Sequence, residues 1–136
     1  MKGYWFTSPL FKIEPGEDEE INPGRYGRQL SIWLKKQLEG RGYSIEPIIN
    51  EDWGRCLMCS RDPFMLWVGC GNVEAEPFAQ APKEGAIVWH CFAVAEVPFW
   101  KRLFRRQGTA VALQRLEEDV GAILSESSHI QLMDEP

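Results

Sequence analysis

The stretch Glu51 to Asn72, EDWGRCLMCSRDPFMLWVGCGN, decides the fold. Its opening, Glu51-Asp52-Trp53-Gly54, reads as a turn, because Asp52 can accept backbone N–H bonds and Gly54 can supply a positive φ. Arg55 to Ser60 is a short apolar run, Asp62-Pro63 breaks it, and Phe64 to Cys70 is a second apolar run that ends in Gly-Cys-Gly. Two runs of strand length joined by a turn predict a hairpin of buried strands. Buried strands need other elements to cover them, and the sequence on either side supplies these.

Upstream, Asn22-Pro23 places a capping residue before one preset for a first helical turn. Tyr26, Leu30, Trp33, Leu34 and Leu38 then recur at helical spacing, which predicts a helix from Pro23 to Glu39 stopped by Gly40-Arg41-Gly42. Tyr4 to Ile13 predicts a first strand, with Tyr4 and Phe6 on one side and Trp5 and Thr7 on the other, and Ile45 to Ile49 predicts a second. Downstream, Ala86 to Ala95, AIVWHCFAVA, is apolar on both alternating faces: Val88, Phe92 and Val94 on one, Ile87, Trp89 and Cys91 on the other. That pattern predicts a central strand. PFWKRLFRR, from Pro98, reads as a short helix whose Lys101, Arg102, Arg105 and Arg106 form a solvated stripe. Leu113, Leu116, Val120, Ile123 and Leu124 define a last helix. Glu14 to Gly24 and Asn72 to Gly85 read as loops, and residues 126–136 as a frayed tail. The expectation is one α+β domain: a single layer of about five mostly antiparallel strands with helices packed on it, in the order β-α-β-β-β-β-α-α.

With 20 acidic against 15 basic residues the net charge is -5, the wrong sign for a protein whose main partner is a nucleic acid. No run approaches the ~20 apolar residues of a membrane span, and the first residues lack a signal-type apolar segment. A cytosolic protein is expected, in whose reducing surroundings Cys56, Cys59, Cys70 and Cys91 are free thiols.

Cys56-Leu-Met-Cys59 suggests a metal or thiol enzyme, with Cys70, His90 and Cys91 as further ligands, since two thiolates three residues apart can grip one tetrahedral ion. Strand geometry argues against it: residues i and i+3 point to opposite faces, as do the neighbours His90 and Cys91. Gly69-Cys70-Gly71 is the one glycine-rich element, but no helix follows to complete a phosphate cradle. Structural thiols and no cofactor are the favoured reading.

Trp5, Trp67 and Trp89 each fall on a strand. If helices cover one side of the sheet only, some of these rings line the other side. Together with Trp53 and the acidic Glu17, Asp18, Glu19, Glu20, Glu51 and Asp52, they predict a protein-binding surface. A small acidic protein of immunity or chaperone type, which neutralises or escorts a partner with a basic surface or pairs with a second copy, has this chemistry. A third reading is a small-ligand cleft between the sheet and the Asn72 to Gly85 loop, with Trp53 and Trp67 stacking on the ligand.

Overall fold

A computed structural model of the chain describes residues 3–73, 87–97 and 107–136. Its elements are β1 (Tyr4–Thr7), α1 (Arg28–Gly40), β2 (Ile49–Glu51), β3 (Gly54–Ser60), β4 (Met65–Asn72), β5 (Trp89–Glu96), α2 (Gln107–Glu126) and β6 (Gln131–Met133). The strands form one sheet of six in the order β2-β3-β4-β5-β1-β6, and every neighbouring pair is antiparallel. This is the α+β layer that the sequence predicts, with a sixth strand added at its end. The expected helix of residues 98–106, with its basic stripe, lies outside the described residues, as does most of the Asn72 to Gly85 loop.

The register explains the core. Phe6 pairs Trp89, Cys70 pairs Cys91 and Leu57 pairs Val68, so these side chains share one face of the sheet. Helix α1 sets Leu30, Leu34 and Leu38 against that face, and α2 adds Leu116, Val120, Ile123 and Leu124; all are buried in one cluster. Each such side chain contributes roughly 1.5–3 kcal/mol on leaving water.

Four boundaries differ from expectation, each for a local reason. Helix α1 starts at Arg28, not Pro23, because Arg25 N–H closes a turn on Asn22 O at 3.0 Å and Gly24 and Gly27 hold φ of 81° and 139°, outside the helical region. Gly27 also lets the chain pass close to β4: a Cβ there would sit 3.5 Å from Gly71 Cα and 3.8 Å from the Trp89 ring. Strand β1 ends at Thr7. Ser8 Oγ accepts from Leu10 N–H at 3.1 Å and donates to His129 O at 2.7 Å, which turns the chain and lets Phe11 pack edge-on against Trp33 and Trp89. Strand pairing begins at Ile49, while Ile45 is buried in the core. The tail does not fray throughout, because β6 pairs β1 with Phe6 opposite Leu132. All three of its residues are exposed, so main-chain bonds rather than burial hold it.

Among the described residues, no helix is long and apolar enough to cross a membrane.

Candidate functional site

Both helices pack on the same side of the sheet, through the core cluster. The opposite face takes the alternate residues: Trp5 on β1, His90, Phe92 and Val94 on β5, Trp67 on β4, and Cys56 and Met58 on β3. Trp53 joins them from the β2–β3 turn. The rings form a continuous series. Trp5 stacks on His90 at 4.3 Å with the planes 7° apart, His90 lies 5.0 Å from Phe92, and Trp53, Trp67 and Phe92 meet one another at 5.4–5.8 Å. Such ring pairs contribute about 0.5–1.5 kcal/mol beyond simple burial.

Glycines shape this face. Phe92 lies across Gly69, where any Cβ would collide with its ring. His90 leans the other way, toward Gly3, where a Cβ would meet its Nε2. Beside these rings is a cavity of about 420 Å³ lined by Trp53, Trp67, His90, Phe92, Val94, Gly71, Asn72 and Arg25. The polar end is built into the backbone. Asn72 Oδ1 accepts Tyr26 N–H at 2.9 Å and Nδ2 donates to Gly24 O at 2.9 Å, while Arg25 Nη1 reaches Asn72 O at 3.5 Å.

No family model, curated protein or solved structure matches the chain.

Of the residues predicted to meet a partner, Trp5, Trp53 and Trp67 are brought together on the open face, half-buried. Trp89 is not: it is fully buried on the helix side, edge-on against Phe11. Its strand is apolar on both faces, and only the register shows which face the helices take. The acidic segment also divides. Glu17, expected in a solvated loop, is fully buried in a single 3-10 turn (Glu17–Glu20). Its Oε1 accepts the N–H of Gly27, the cap of α1, at 3.4 Å, which places a carboxylate at a helix N-terminus. Asp18 Oδ2 accepts Gly24 N–H at 3.2 Å, and Glu20 forms an ion pair with Arg28 and another with Arg55 at 3.6 Å. Glu19, Glu51 and Asp52 are exposed. Sequence reasoning considers Gly69 and Gly71 only as a phosphate cradle and Phe92 only as a strand residue, and gives Arg25 no role; glycines inside an otherwise bulky strand are the signal that points to this site.

The candidate metal or thiol ligands do not converge. Among the described residues no three of His, Cys, Asp and Glu could hold a metal ion. Cys70 and Cys91 are paired in register inside the core, Cys56 and His90 are on the open face, and Cys59 sits at the irregularity of β3. All four thiols are free. Burial pushes Cys56 up to about 11 and Cys59 and Cys70 up to about 12, and raises Cys91 well above its ordinary value. Since the thiolate is the nucleophile, iodoacetamide at pH 7.5 is expected to modify the folded protein far more slowly than the unfolded one, in which all four react. Mass spectrometry of both states checks this, and one fast-reacting thiol in the folded protein would contradict it.

His90 carries a pH signature. Burial pushes its pKa below the ordinary 6.5, with the charge of Glu135 pulling weakly the other way. The unfolded chain therefore takes up a proton that the native ring resists, so stability falls as pH drops below about 6.5 and is flat above it. His90→Phe preserves the stack on Trp5 and removes the titration. The difference in urea midpoint between pH 7.5 and 5.5 is expected to be smaller in the variant than in wild type, and equal differences would refute this account.

Proposed function

We propose that this chain is a small cytosolic protein-binding module of the immunity or chaperone type, which takes a partner protein on the open face of its sheet. One observation carries the reading: Trp5, His90, Phe92, Trp67 and Trp53 form a contiguous half-buried aromatic series on the side away from both helices. Tryptophans clustered around a cavity are the residues in which binding energy usually concentrates. Glu51 and Asp52, exposed beside Trp53, and Glu96, exposed at the end of β5, give that face an acidic rim. With the net charge of -5, this favours a partner with a basic surface by steering its approach. A second copy of the chain is the competing occupant.

The test is quantitative capture. Tagged wild-type protein, crosslinked in extract of its source cells, yields a partner whose purified form is then titrated against wild type and a Trp53→Ala, Trp67→Ala double variant. Loss of two central anchors should weaken binding by at least about 30-fold, the size of one hot-spot residue. If no protein is captured specifically, or the double variant binds it as wild type does, the reading fails. Self-association, measured by light scattering across concentration, separates the homodimer.

A further inference from the structure

We infer that Cys70 and Cys91 form a redox site, in which a small disulfide oxidant converts the two thiols into a cross-strand disulfide that clips β4 to β5 behind the aromatic face. The inference goes beyond protein binding and does not depend on it.

Register places the two sulfurs. β4 and β5 pair without interruption from Met65↔Glu96 to Asn72↔Trp89, with Cys70 directly opposite Cys91. One step beyond, Val73 N–H donates to Val88 O at 2.8 Å, so Val73 and Val88 are a hydrogen-bonded pair. Hydrogen-bonded and non-hydrogen-bonded pairs alternate along an antiparallel ladder. Asn72↔Trp89 is therefore non-hydrogen-bonded, Gly71↔His90 hydrogen-bonded and Cys70↔Cys91 non-hydrogen-bonded again. Pairs of that kind hold their Cα atoms about 4.5 Å apart, with side chains closer than in the alternate pairs, and a disulfide bridges Cα atoms roughly 4.4–6.8 Å apart. Both side chains are on the helix side, in the core cluster. The other two thiols have no such place: Cys56 is opposite Gly69, and Cys59 falls at the irregularity of β3.

The surroundings give the two sulfurs different roles. Burial opposes the Cys70 thiolate, but Arg55, its register partner on β3, favours it by its charge. Burial and the neighbouring Cys70 both oppose the Cys91 thiolate. Cys70 is thus the attacking group. Its thiolate attacks one sulfur of oxidised glutathione, the S–S bond breaks, and one glutathione thiolate leaves a mixed disulfide behind. Cys91 then gives up its proton, attacks Cys70 Sγ and expels the second glutathione thiolate. The two leaving thiolates take up the two protein protons, and two electrons pass from the protein to the oxidant. Both thiols are fully buried, so exchange waits on local opening and is slow; the fold decides the equilibrium rather than the rate. Gly69 and Gly71 flank Cys70, and His90 and Phe92 flank Cys91, so the bond ties together the two strands that carry the centre of the aromatic series.

Wild-type protein, equilibrated under nitrogen with stepped ratios of reduced to oxidised glutathione in buffer and in concentrated urea, tests the pair. After an acid quench and capping of free thiols, trypsin cuts after Arg61 and Lys83, which puts Cys70 and Cys91 on separate peptides and Cys56 with Cys59 on a third. Mass spectrometry should find one linked pair, Cys70 with Cys91. Its equilibrium constant with glutathione should be at least about tenfold larger in buffer than in urea, because a fold that accommodates a bond closing a loop of roughly 20 residues is stabilised by it to that degree or more. The oxidised protein should keep a native 1H–15N spectrum, with the largest shifts at Gly69, Gly71, His90 and Phe92. Cys91→Ala should leave Cys70 only as a mixed disulfide. Bonds between other cysteines, mixed disulfides alone in wild type, equal constants in buffer and urea, or loss of the native spectrum on oxidation would overturn the site. The docking face is tested on reduced protein, so its failure and that of the redox site are distinguishable.

Discussion

Trp89→Ala is expected to cost about 3–5 kcal/mol of folding stability, the range for removing a large buried aromatic side chain. Trp89 is fully buried, it packs edge-on against Phe11, and its ring approaches the Gly27 backbone. It therefore joins β5, the loop after β1 and the start of α1 in one contact. Its indole N–H finds no acceptor among the described residues, so the loss is one of packing and cavity formation. Urea unfolding should show a lower midpoint with an unchanged slope. Trp5→Ala, at a half-buried position of the open face, leaves no enclosed cavity and should cost clearly less than Trp89→Ala. If the two variants lose stability equally, the assignment of core face and open face is wrong.

Arg55→Met is expected to cost about 3–5 kcal/mol at neutral pH, the penalty for leaving a buried charge without its counter-charge. Arg55 is almost wholly buried on the helix side of β3 and Glu17 fully so. The guanidinium donates to Asn50 Oδ1 at 2.6 Å and pairs with Glu20 at 3.6 Å, and its charge acts on Glu17. Burial already holds the Glu17 carboxyl above its ordinary value of 4.5, opposed by the Gly27 N–H and by Arg55. Removing Arg55 raises it further. The native variant therefore binds the proton more tightly than its unfolded chain does, so the cost should shrink as pH falls toward about 4.5 and grow as pH rises. Adding Glu17→Leu should recover most of the loss, because it removes the buried carboxylate whose charge Arg55 no longer offsets. A cost independent of pH, or a double variant no more stable than the single one, would exclude this account.

The hairpin, both helices and the central strand were legible because each repeats its burial over several residues: Leu30, Leu34 and Leu38 at helical spacing, and Leu66, Val68 and Cys70 at strand spacing. Features that depend on distant partners were not. Glu17 sits in an acidic run with no period, and only Arg55 and the start of α1 make its burial tolerable. Strand β6 buries nothing, so no pattern of side chains records it; its partner is β1 at the other end of the sequence. On the candidate site, Trp53 and Trp67 were legible as aromatic residues of the sheet side away from the helices, where they meet each other. Gly71 was not, since a missing side chain acquires meaning only when its neighbours across the sheet are known to be Trp53 and His90.

The position of β1 in the sheet bears on how the molecule assembles. Translated first, this strand is held between β5 and β6, which are translated last. Such high contact order slows folding. A nascent chain on the ribosome can zip β2, β3 and β4 together early, but Phe6 reaches its place in the core only after β5 has emerged, which leaves β1 and the free edge of β4 open to chaperones in the interval.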